Sequence, residues 1–140
     1  GRWDYIYDDN SRHGGVARGK HWVLLGDLNA DPYDGDSLID AADRLIDNRE
    51  VNSSCIPSST GGQLASREQG GVNLQHRGNP AHDTADFNDQ STGNLRVDYV
   101  LTGRRSEIQE CGVFWPVPGL GLDDLVEFSD HRLVWMDIKF

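Results

Sequence analysis

The apolar residues of this chain fall into short β-prone runs and one helical stripe, separated by long polar stretches, and that distribution points to a mixed α/β sheet layer. His21-Trp22-Val23-Leu24-Leu25 ends at Gly26 and reads as a buried strand. From Asp36 to Asn48 the positions Leu38, Ile39, Ala42, Leu45 and Ile46 share one helical face, with Asp36 or Ser37 as N-cap and Arg44 near the far end, which predicts a helix. Leu95-Arg96-Val97-Asp98-Tyr99-Val100-Leu101, closed by Thr102-Gly103, is a further strand. Another is expected from Ile108 to Trp115, ending at Pro116, and a last one from Arg132 to Phe140. One helix cannot cover both faces of such a layer, so one sheet face is expected to want a partner.

Residues 49 to 94 sustain neither a strand nor a helix period and are rich in Gly, Ser, Asn, Gln and Asp, so they read as one long functional loop. The 140 residues fit a single, partial domain. The opening residues carry no apolar leader, and no run is long enough to cross a membrane. Localisation is left unassigned, with secretion compatible. Cys55 and Cys111 belong to no metal-ligand spacing, and a disulfide or two free thiols fit equally.

Thirteen basic against 23 acidic residues give a net charge of −10, which disfavours a broad electrostatic grip on nucleic acid. A phosphate substrate would have to be met locally, and carboxylates holding a divalent cation are the usual means. Three polar clusters could serve. Asp27 and Asn29, in Gly26-Asp27-Leu28-Asn29, follow the first strand and would share a face if extended geometry persisted; the alternative is a plain polar turn. Asp98 lies inside a largely apolar strand and needs a partner, either a histidine or, on a solvated edge, Arg96. Ser129-Asp130-His131 precedes the final strand, where neighbouring residues project to opposite sides, so Asp130 could hold a hard cation while His131 meets a phosphate.

Together, in this order and in these strand contexts, the clusters resemble the endonuclease/exonuclease/phosphatase superfamily, the deoxyribonuclease I-like group, over residues 20 to 140. The resemblance implies metal-dependent phosphoester hydrolysis by in-line attack of water, on a nuclease, phosphodiesterase or phosphatase substrate. It implies Asp27 as base or water-orienting carboxylate and metal ligand, and Asn29 as a phosphate hydrogen-bond donor. Asp98 becomes the partner of His131, Asp130 a metal ligand, and His131 the phosphate binder and transition-state stabiliser. The implied cofactor is Mg or Mn, with Ca a further candidate, and the implied substrate is a phosphoester, nucleic acid included.

The group also carries an early Asn and a metal-binding Glu, for which residues 1 to 19 offer no counterpart. The chain therefore resembles the C-terminal half of the fold, about half of a four-layer α/β sandwich, awaiting an N-terminal half or a second copy of itself. A catalytically inactive fragment serving as a binding or interaction module is the alternative. An EF-hand reading of Asp27, Asn29 and Asp31 fails at Pro32 and Leu38, where glycine and glutamate are required. His76 and His82 have no third ligand at zinc spacing.

Overall fold

The β-branched and aromatic residues at 22–25 and 97–101 follow their propensity and pair with one another. A computed structural model describes residues 19–38 and 40–139. In chain order it contains β1 (Val23–Asp27), α1 (Asp43–Ile46), β2 (Val51–Asn52), α2 (Thr60–Gln69), β3 (Ala85–Asp86), β4 (Asn94–Leu95), β5 (Asp98–Gly103), β6 (Glu107–Phe114) and β7 (Leu133–Lys139). Short 3-10 turns lie at Gly71–Gln75, Pro80–His82 and Asp123–Leu125. The fold is mixed α/β, but its strands form small antiparallel sheets rather than one mixed layer: β1-β5-β2, β3-β4 and β6-β7.

Register decides which side chains meet. In the β1–β5 ladder Asp27 stands opposite Asp98, Leu25 opposite Val100 and Val23 opposite Thr102, so these pairs share one face. Leu24, Leu101 and Tyr99 point to the other face and pack with Ala30, Ala42 and Val51, joined by Trp22, Leu28, Leu45 and Ile46. That second face is the core. The first is buried along β5, at Val100 and Thr102, but open along β1: Leu25 is 70% exposed, although burying a leucine is worth about 1.5–3 kcal/mol. Leu133 and Trp135, two apart on β7, are likewise exposed. A second small core of Ala85, Leu95 and Val97, with Phe87 against it, sits under β3 and β4.

Two expectations are corrected. The helix over 36–48 shrinks to α1, because Asp40 adopts a left-handed φ of 65° and Ala42, without a side-chain cap, starts the helix. Leu38 is exposed, and Ile39 lies outside the described residues. The expected loop at 49–94 instead contains β2, α2, β3 and the start of β4. Ser59 caps α2, its hydroxyl accepting from Gly62 N at 3.0 Å. Gly61 opens that helix because any Cβ there would collide with the carbonyl oxygen of Trp115. Cys55 and Cys111 form a disulfide that ties the approach to α2 onto β6, and Val113 N donates to Ser58 O beside it at 3.0 Å.

From α2 a chain of polar contacts runs to the start of β7. Gln69 donates to Asp86 and accepts from Asn94, both at 2.8 Å. The other Asp86 oxygen receives Arg132 Nη2 at 2.7 Å. Arg132 is buried, with its guanidinium 4.6 Å from the Trp115 ring centroid. The residue after His131 is thereby tied to β3 directly and, through Asp86 and Gln69, to α2 and β4.

Candidate active site

The described residues bring the three clusters to the end of the β1–β5 ladder. Asp27 closes β1, exposed, directly across from Asp98 at the start of β5. Beyond it Leu28 N donates to Val97 O at 2.9 Å, and the chain then turns. Asn29 takes a left-handed φ of 48° and its N–H donates to Asp27 Oδ1 at 2.6 Å. Extended geometry therefore does not persist from Asp27 to Asn29, and the two side chains do not share a face by strand alternation. Asn29 instead lines a cavity of about 410 Å³ with Asp31, Asp34, Asp36, Phe87 and Asn88 among its walls.

Asp98 is met by histidine, not by Arg96. Its Oδ2 lies 2.8 Å from His131 Nδ1, which must donate to a carboxylate, and this fixes the tautomer and leaves Nε2 for a ligand. Arg96 stacks on the Tyr99 ring at 4.8 Å, and its backbone N–H donates to Asp31. The hydrogen bond to Asp98 holds the His131 pKa above the ordinary histidine value, against partial burial, and the charges of Asp98, Asp27 and Asp130 add to the rise. Phe87 meets the imidazole edge-on, ring centroids 5.8 Å apart. Asp130 is exposed, and its carbonyl accepts from Asp86 N at 2.8 Å.

Sequence reasoning missed Thr84, which is 1% exposed. Its hydroxyl accepts from Val97 N at 3.0 Å and Asp98 N at 2.9 Å, so its single proton is left for Asp98 Oδ2 at 2.9 Å. The carboxylate oxygen facing His131 is held from behind. The Thr84 carbonyl also accepts from Arg132 N at 2.7 Å, and Ala85 bridges to His131, so one residue positions both members of the pair. No sequence signal marks it, since it stands in a polar stretch without strand or helix period. Asp83 is buried, and burial, followed by the charges of Asp31 and Asp34, pushes its pKa up to about 8. Burial, with help from the charge of Arg96, lowers that of His82.

Asp27 and Asp130 offer hard oxygen donors suited to Mg or Mn, but among the described residues no three metal-ligating side chains converge. These residues alone do not complete a metal site.

The sequence model of the Endonuclease/Exonuclease/phosphatase family matches residues 1–131. The match starts at the first residue of the chain, where the motifs suggest a resemblance from residue 20 to 140, and leaves β7 outside. No curated protein and no solved structure matches. With the match spanning most of the chain and the Asp98–His131 pair assembled at the end of the paired strands, the chain belongs to the endonuclease/exonuclease/phosphatase family, a group of phosphoester hydrolases that typically use divalent metals.

Proposed function

We propose that this chain supplies the later part of the active site of a metal-dependent phosphoester hydrolase, in which His131 and Asn29 bind the phosphate and Asp27 handles the attacking water. The observation that carries this reading is the 2.8 Å bond between Asp98 and His131, in a field of three carboxylates that favours the imidazolium. Protonated at Nε2, His131 would donate to a non-bridging phosphate oxygen and offset the charge that develops as water attacks in line. Asp98, held by Thr84, keeps that imidazole oriented. Asp27 would orient the water and take its proton, and the Asn29 amide would donate to a second phosphate oxygen. Mg or Mn, held by Asp27 and Asp130 with at least one further acidic donor, would supply Lewis-acid neutralisation. No lysine or arginine stands among these residues, and the net charge of −10 favours a small phosphoester over a polynucleotide.

The missing donor and the open sheet face call for one partner. Leu25 and Val23 share their face with Asp27, so a layer packed over them would reach the same rim. We assign that place to the other sheet layer of the same fold, and a second copy of this chain is the competing occupant. The incomplete donor set equally motivates the rival reading, an inactive interaction module.

Hydrolysis of bis-p-nitrophenyl phosphate with Mg or Mn, with and without upstream coding sequence, tests the proposal. Activity that rises with the longer protein and collapses in His131→Ala supports it. A longer protein that binds metal and hydrolyses no phosphoester favours the interaction module.

A further inference from the structure

The backbone pairing that seats His131 also decides which side chains lie against it. Asp86 N donates to Asp130 O at 2.8 Å and Arg132 N to Thr84 O at 2.7 Å, and between these two bonds Ala85 faces His131. A pair placed so exchanges no bond of its own, and its side chains stand closer than those of bonded pairs. Ala85 is fully buried, and its lone methyl group leaves the imidazole room. Phe87, two residues on, is the diagonal neighbour of His131, a separation that aromatic side chains can span. The two rings do meet, with centroids 5.8 Å apart and planes at 85°.

Phe87 is itself held, because it packs against Ala85, Leu95 and Val97. The bond from His131 Nδ1 to Asp98 does not by itself aim the opposite nitrogen. A single hydrogen bond is an axis about which the ring can tilt, and the torsion that turns an imidazole is broad. A second ring packed perpendicular to it narrows that freedom, since aromatic pairs favour such a geometry. The His131 side chain remains 34% exposed, so the contact leaves space for a ligand.

Resting on the phosphoesterase reading, we infer that Phe87 is a positioning residue: its ring is the second fixed contact on the His131 imidazole and sets the tilt at which Nε2 meets the phosphate. Phe87 acts only through His131.

Phe87→Leu and Phe87→Met keep apolar bulk over Ala85, Leu95 and Val97 but remove the ring, whereas Phe87→Tyr keeps it. In nuclear magnetic resonance spectra of the full chain, Overhauser contacts should join the ring protons of Phe87 and His131. Phe87→Leu should leave the His131 side chain averaging between rotamers while the unfolding midpoint stays near that of the wild type. With the upstream coding sequence in place and Mg or Mn present, Phe87→Leu should lose about three- to tenfold in kcat on bis-p-nitrophenyl phosphate, the worth of one aromatic pair, with KM changed less than about twofold. Phe87→Tyr should restore most of that loss. Three results overturn the inference: no ring-to-ring contact in the wild type, an undiminished kcat in both Phe87→Leu and Phe87→Met, or a kcat that falls with the unfolding midpoint while His131 stays ordered. A wild type that hydrolyses no phosphoester sinks the phosphoesterase reading instead, and the spectra then decide alone whether Phe87 sets the imidazole.

Discussion

A carboxylate inside an apolar strand has to be answered by something, and at Asp98 the answer is an imidazole in front and a hydroxyl behind. His131→Ala removes a donor to the developing phosphate charge, and steady-state kinetics should show kcat falling about 10²- to 10³-fold. Because its folded-state pKa is raised, the pair's contribution to stability is fully present below the ordinary histidine value and fades as pH climbs through the raised one. Activity that needs the imidazolium should therefore have an alkaline limb, and Asp98→Asn should move that limb to lower pH in a rate–pH profile. Thr84→Val strands two buried backbone N–H groups, so chemical denaturation should report a loss of about 1–3 kcal/mol, with Thr84→Ser close to wild type. Asp83 works with the opposite charge type: its folded pKa, about 8, lies above the ordinary carboxyl value, so stability drains away as pH rises from about 4 to about 8. Asp83→Asn should flatten Tm against pH across that window. At this scale the need of Asp98 for a partner was legible, since burial makes an unpaired carboxylate costly, while the choice of His131 over Arg96 was implied only by the resemblance. Thr84 was not legible, because a threonine in a polar stretch signals nothing until three strands are seen to converge on it.

Among elements, glycine was the misleading letter. Ser58-Ser59-Thr60-Gly61-Gly62 and Gln69-Gly70-Gly71 resemble loop punctuation, yet they begin and end α2. Gly61 is required by the close approach of Trp115 rather than by a turn, and Gly70 takes a left-handed φ of 67° where the helix stops. Gly61→Ala should lower Tm clearly, by about 2 kcal/mol or more of stability, as overpacking against backbone does. The helical stripe at 36–48 was read correctly as apolar periodicity but overextended, since a pattern of side chains cannot foresee Asp40 leaving helical φ/ψ space. The disulfide closes a separation of 56 residues around α2, β3, β4 and β5, and reducing it should cost about 2–4 kcal/mol in a denaturation curve run with and without thiol.

For the whole molecule, the apolar runs gave the class of fold; two helices form where one was expected, and the side of β1 that carries Leu25 and Val23 is exposed. How the strands would divide into separate small antiparallel sheets was beyond the pattern, because pairing depends on contacts distant in sequence. An open face carrying Leu25 and Val23 should make the chain self-associate with concentration. Sedimentation should show that tendency weakened by Leu25→Lys.

The Asp27–Asp98 register carries one more consequence. A β-strand alternates its side chains with a period of two, so sliding β1 by a single position would put Gly26 opposite Asp98 and swing Asp27 to the helix-covered side. The strand is a ruler graduated in single residues. Insertions in the exposed turn at Arg104 and Arg105 leave that scale untouched, whereas deleting one residue between His21 and Asp27 would trade the water-handling carboxylate for a buried charge.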